Sequence, residues 1–232
     1  MSGALQAIVF DFDGVIADSE PLHLRAFQRA LADEGMELSA ADYFAHYLGF
    51  DDVGMFHALA RHRGKQWATG DVARLVTRKG EHLQQLMSAD GVLFPGSKEF
   101  IATAAARVPI AIASGALRHE IDEVLVSSGL ASLFHTIVAS GDTTDSKPSP
   151  APYELAFRRL QESVSTPLDR RRCVAIEDSR WGLESARGAG LRCVGVTNSY
   201  PAHELPGAEL IVNGLGDLTL DSLDLLCAAA LS

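Results

Sequence analysis

Ala7-Ile8-Val9-Phe10-Asp11-Phe12-Asp13-Gly14 is the stretch that decides how this chain folds. Its first four residues form an unbroken apolar run, the pattern of a strand buried on both faces of a parallel sheet. Asp11 and Asp13 follow at i and i+2, so both side chains leave the strand tip on roughly the same side. Gly14 then allows a sharp turn or the close approach of a ligand to the backbone. Two like charges this close raise each other's pKa unless something positive lies between them, and a divalent cation is the simplest such partner. One carboxylate could then attack an electrophile while the other moves a proton. Acids after strands also serve as caps and turn residues, so the rest of the chain must decide.

Past Gly14, Asp18-Ser19-Glu20-Pro21 predicts a helix start, capped by Ser19 or Glu20 with Pro21 in the first turn. Leu24, Phe27 and Leu31 recur at helical spacing, and Gly35 is a natural stop. Helical patterns continue near 40–48, 52–63 and 70–87 with no convincing strand among them. A purely helical block after a first strand predicts an inserted α-helical cap over residues 18–90. Gly91-Val92-Leu93-Phe94-Pro95-Gly96 reads as the loop returning to the first domain.

Strand and helix alternate from there. A helix at 97–106 precedes the strand Ile110–Ala113, and the next helix carries Leu117, Ile121, Val124 and Leu125. Thr136–Ala139 is a strand, followed by a helix with Tyr153, Ala156, Phe157 and Leu160 on one face. Cys173–Ile176, Cys193–Val196 and Leu210–Val212 are further strands, with helices around Leu183 and Ala186 and after Leu215. The expected fold is α/β: a doubly wound, mostly parallel, Rossmann-like sheet built from 1–17 and 91–232, interrupted by the helical cap. Ligands are expected beyond the carboxyl ends of its strands.

The chain's 232 residues can bury a large core, and 47% hydrophobic with 22% charged residues is ordinary for a globular protein. A formal net charge of −10 argues against nucleic acid or an anionic membrane as partner. It leaves room for an anionic substrate, because a metal and a local cation can reverse the field inside a cleft. Cys173, Cys193 and Cys227 form no metal-type pair and read as buried free thiols of a reducing compartment. Neither a leader-like segment after Met1 nor an apolar span long enough to cross a bilayer is visible. The expectation is a cytoplasmic monomer or weak homo-oligomer.

Three further strand ends fall on the same sheet edge as Asp11 and Asp13. Ser114-Gly115 follows Ile112-Ala113, a hydroxyl and a permissive glycine near a helix start, suited to a phosphate oxygen or to plain N-capping. Lys147 sits in Ser146-Lys147-Pro148-Ser149-Pro150, either as a placed charge for a transferring phosphoryl group or as a solvated surface lysine. Ile176-Glu177-Asp178-Ser179 ends a buried strand in two more acids, of which Asp178 could also cap a helix. Carboxylates from two strand ends suit Mg²⁺.

In that order, Asp11-Phe12-Asp13-Gly14-Val15, Ser114, Lys147 with Pro148 and Pro150, and Glu177-Asp178 resemble the motifs of the haloacid dehalogenase superfamily. Asp18-Ser19-Glu20-Pro21-Leu22-His23 and Gly182-Leu183-Glu184-Ser185-Ala186 with Gly190 are similar to the branch holding β-phosphoglucomutase and many sugar-phosphate phosphatases. The resemblance implies that Asp11 is the nucleophile and Asp13 the acid and base. It implies that Ser114, the Gly115 amide and Lys147 bind phosphoryl oxygens. Mg²⁺ would be held by Asp11, the Asp13 carbonyl and Asp178, with Glu177 close by. His23 matches a histidine common in that branch, giving a contact from the cap side, or is simply a helix-face histidine near the hinge.

Two positions depart from the pattern. Ala151 stands where an Asp is frequent, and Asp52 stands where the mutase cap carries a phosphate-gripping Arg. A carboxylate there would repel a second phosphate, which favours a phosphatase acting on a small phosphorylated metabolite over a phosphosugar mutase. A phospho-Asp signalling module is a further alternative, although receiver domains are much shorter. Lys79, Arg118 and His119 read as solvated helix charges that could face substrate. Trp67 and Trp181 read as packing, and Arg170-Arg171-Arg172 as loop surface.

Overall fold

A computed structural model describes residues 3–48, 50–87 and 92–229. Among these residues six strands form one wholly parallel sheet in the order β3-β2-β1-β4-β5-β6. They are β1 (Ala7–Phe10), β2 (Ile110–Ala113), β3 (Thr136–Val138), β4 (Cys173–Glu177), β5 (Arg192–Val196) and β6 (Leu210–Val212). Every residue of β1, β2 and β4 is buried, as expected where helices cover both faces of a sheet. Phe10 pairs with Ile112 on one side and Ile176 on the other. The strand order reverses between β1 and β4, so the chain ends of these two strands open onto the crevice where doubly wound sheets bind ligands.

The chain divides into two compact units, Met1–Asp18 with Val92–Ser232, and Ser19–Gly91. The first holds the sheet with α5 (Ser97–Ala105), α6 (Arg118–Ser128), α7 (Ala151–Ser163), α8 (Arg180–Gly188) and α9 (Leu220–Ala228). The second holds α1 (Glu20–Ala32), α2 (Ala40–His46), α3 (Asp52–His62) and α4 (Thr69–Met87). Gly49 and Gly91, and with Gly91 the expected boundary at 90/91, lie outside the described residues.

Within the helical unit, Phe27, Tyr43, Met55, Phe56, Leu59 and Leu75 form the core, with the Phe27 and Phe56 rings edge to face at 5.3 Å. Lys79 is the exception. Read as a solvated charge, it is in fact 1% exposed, with Nζ 2.8 Å and 3.0 Å from the two Asp52 carboxylate oxygens. It also lies 2.8 Å from His23 Nδ1 and 4.9 Å from the Phe27 ring centre. A buried ammonium is tolerable only with such partners. Asp52 thus serves as the counter-ion of this cluster.

Burial, reinforced by the Lys79 charge, pushes the His23 imidazole down to about 3. The folded ring therefore stays neutral where the unfolded one gains a proton, below about 6.5. Stability from this group is present above that pH and falls as the pH drops toward 3, by about 1.4 kcal/mol per pH unit at most. His23→Gln should flatten the acid limb of the melting temperature between pH 6.5 and 5. Parallel curves for wild type and variant would contradict this account.

Smaller differences have local causes. α6 begins only at Arg118, behind Leu117, so Ser114 is not its cap, and the hydroxyl accepts from the Ala116 amide at 3.0 Å. Ser179, not Asp178, caps α8 through the Gly182 amide. Trp181 is 42% exposed rather than packed, lying against the Arg180 guanidinium and edge-on to Tyr200. All three cysteines are free and buried. Among the described residues no helix is long and apolar enough to cross a membrane.

Candidate active site

β1 and β4 end side by side, and the Asp11 amide donates to the Ile176 carbonyl at 2.9 Å, which fixes Asp11 against the last residues of β4. Asp11, Glu177 and Asp178 are all buried, and one oxygen from each lies within 4.8 Å of the others. Lys147 enters from the segment after β3. Its ammonium stands 2.8 Å from Asp11 Oδ1 and 2.6 Å from Glu177 Oε1. The surface-lysine alternative is thereby excluded.

Three carboxylates face one ammonium, and the electrostatics register the excess. Burial, then Glu177, holds the Asp11 carboxyl well above the usual carboxylate range against the pull of Lys147. Burial and Glu177 likewise push Asp178 up to about 7. Burial alone would depress the Lys147 ammonium, but Asp11 and Glu177 overcome it and hold the group firmly protonated. A cluster of hard oxygen donors with surplus negative charge has the chemistry of a Mg²⁺ site.

Gly14 is required by two constraints at once. Its φ of +74° disfavours a side chain, and a Cβ there would fall 1.8 Å from Asp178 Oδ2. The loop after β1 can therefore close directly onto the loop after β4. Asp13 lies in that first loop, half-buried, beside the bridge between Asp13 and Ala17. Ser114 is buried at the end of β2, next to β1 in the sheet, and Gly115 beside it is exposed. Asp11, Lys147, Glu177 and Asp178 are thus brought into one contact network, with Asp13, Ser114 and Gly115 on the same sheet edge. His23 belongs to the helical unit and to the separate cluster with Lys79 and Asp52.

Three participants escaped the sequence reading. Tyr153, taken as a packing residue of α7, donates its hydroxyl to Glu177 Oε1 at 2.8 Å. Ser199 donates its hydroxyl to Asp178 Oδ2, and Asn198 donates to the Gly14 carbonyl at 2.7 Å. The last two follow β5, so their position at a fifth strand end was the available signal. For Tyr153 the signal was weaker: a phenol on a buried face needs a hydrogen-bond partner.

Known proteins share both the sequence pattern and the fold. Residues 8–196 match the family model of haloacid dehalogenase-like hydrolases. Protein CbbY of Cereibacter sphaeroides is 31% identical over 238 residues, covering 97% of this chain and all of that protein. The phosphoglycolate phosphatase of Yersinia pseudotuberculosis is 27% identical, covering 85% of this chain and 83% of the relative. A crystal structure of mutant CbbY from Rhodobacter sphaeroides in complex with xylulose-(1,5)bisphosphate superposes with a TM-score of 0.80 at 30% identity, over 95% of this chain and 99% of that one. A family model spanning most of the sequence, a full-length relative at this identity and a shared fold leave one conclusion: the chain belongs to the haloacid dehalogenase-like hydrolase family.

Proposed function

We propose that this hydrolase is a Mg²⁺-dependent phosphatase of a small phosphorylated metabolite, of the sugar-phosphate class. The observation that carries this reading is the 2.8 Å approach of Lys147 to Asp11, beside Asp178, at the sheet's switch point. A nucleophilic carboxylate needs a cation at hand to receive a phosphoryl dianion, and here the cation is fixed rather than solvated. One relative is named as a phosphatase of phosphoglycolate, which supports a small phosphorylated metabolite, and a structural neighbour bound to a sugar bisphosphate supports the sugar-phosphate class.

In this reading an Asp11 carboxylate oxygen forms a bond to phosphorus as the ester bond breaks, and Asp13 gives its proton to the departing alkoxide. Asp13 then takes a proton from water, whose oxygen attacks the phosphorus of the aspartyl-phosphate and releases inorganic phosphate with Asp11 restored. Ser114, the Gly115 amide and Lys147 hold the phosphoryl oxygens. Asp11, the Asp13 carbonyl and Asp178 would hold Mg²⁺, which when bound neutralises charge on the phosphoryl group.

A phosphate-release screen over sugar phosphates, nucleotides and other small phosphoesters, with and without Mg²⁺, tests the reading. Mg²⁺-dependent release from at least one sugar phosphate is expected. Conversion of a sugar phosphate to its isomer without release would replace the phosphatase by a mutase, and a stable phospho-protein without turnover would replace it by a signalling module.

A further inference from the structure

Glu177 is the most enclosed group of the site. It is fully buried, and α8 closes over it so tightly that a Cβ on Gly182 would lie 1.8–2.0 Å from its carboxylate atoms. Both of its oxygens are committed. Oε1 accepts from Lys147 Nζ at 2.6 Å and from the Tyr153 hydroxyl at 2.8 Å. Oε2 accepts from the Asp178 amide at 3.1 Å, the Ser179 amide at 3.4 Å and the Ser179 hydroxyl at 3.1 Å. A carboxylate offers about four lone-pair positions, and this one already receives five protein donors.

Asp11 and Asp178 differ. The contacts to Asp11 fall on Oδ1, from the Phe12 amide at 2.7 Å and from Lys147, and the Ser199 contact to Asp178 falls on Oδ2. One oxygen of each lies within 4.8 Å of the other, close enough for a single cation to take both. The Lys147 ammonium, in turn, bridges Glu177 and Asp11, with the Tyr153 ring 5.2 Å away. Two donors therefore compete for Glu177 Oε1, and the phenol limits how far that oxygen can draw the ammonium away from Asp11.

We propose that Tyr153 is a positioning residue, setting the Lys147 ammonium against Asp11 through Glu177, and that Glu177 serves this relay instead of ligating the cation. The kinetic part rests on the phosphatase reading; the metal part does not. Tyr153→Phe keeps the ring in its packed place and removes only the hydroxyl. A lost hydrogen bond to a charged group predicts a fall in kcat of about tenfold, with KM within about twofold. Because the effect passes through Glu177, Tyr153→Phe should cost less than about twofold in a Glu177→Gln background.

Calorimetric titration of the metal-free protein with Mg²⁺ supplies a readout that needs no turnover. Tyr153→Phe should bind Mg²⁺ within about twofold of wild type, and Glu177→Gln, which removes a nearby charge but no ligand, should lose clearly less than Asp178→Asn, which should weaken binding at least about tenfold. A merely structural Tyr153 would lower the melting temperature and leave kcat of the folded fraction unchanged. That result overturns the proposal. So does an equal cost of Tyr153→Phe in both backgrounds, or a Mg²⁺ loss in Glu177→Gln matching that in Asp178→Asn. An empty substrate screen with these Mg²⁺ affinities intact would count against the phosphatase reading alone.

Discussion

Asp11→Asn is expected to reduce phosphate release from every substrate the wild type hydrolyses by at least about four orders of magnitude. Asn is nearly isosteric and can still accept the Phe12 amide bond, which spans 2.7 Å in the wild type, but its amide is no nucleophile toward phosphorus. The fold should survive the change. Asp11 is one of three crowded carboxylates whose mutual repulsion and burial hold its pKa well above normal. Removing its charge relieves that repulsion, and Lys147 keeps Glu177 as a partner at 2.6 Å. The metal-free variant should therefore melt no lower than the wild type. Phosphate release together with a melting curve checks both halves. Recovery of turnover at high Mg²⁺ would mean that Asp11 only helps hold the metal, and the nucleophile assignment would fall.

The outline of the site, though not its wiring, is legible in the sequence. Four apolar runs, each ending in a polar or charged group, place Asp11, Ser114, Lys147 and Glu177-Asp178 on one edge because parallel strands share their carboxyl ends. Periodicity also separates the helical unit from the sheet, since no alternating or short apolar run interrupts residues 20–87. The sequence reads Lys79 as solvated because burial of a lysine depends on partners distant in sequence, here Asp52 and His23. The roles of Tyr153 and Ser199 were hidden for a related reason. Their ring and chain environment follows from pattern, but the hydroxyl's target follows only from how α7 and the β5 loop pack. Trp181 failed differently: an aromatic in the first turn of a helix has no periodicity to say whether its side faces the core.

Lys147→Met should be the most damaging single change to stability, and it should cost activity as well. The ammonium is the compensating charge for a cluster of three buried acids, pairing with Asp11 and Glu177 at once. Breaking a buried pair from one side leaves the partner charge uncompensated, at a cost of about 3–5 kcal/mol. For a chain of this size that corresponds to a melting temperature lower by roughly 6–20 °C. Methionine fills most of the same volume, so the loss reports on charge and not on a cavity. Saturating Mg²⁺ should narrow the gap between variant and wild type, because a cation on the remaining carboxylates replaces part of the missing charge. Turnover should stay at least about a thousandfold down even then, since on the proposed mechanism a cation elsewhere does not replace Lys147 as donor to the phosphoryl oxygens. Lys147→Arg separates the two effects: it returns charge, and with it much of the stability, but its planar fork cannot reproduce a point donor shared by Asp11 Oδ1 and Glu177 Oε1. A Lys147→Met protein as stable as wild type without metal would show that the ammonium does not offset the buried acids, and the electrostatic account of the site would have to be abandoned.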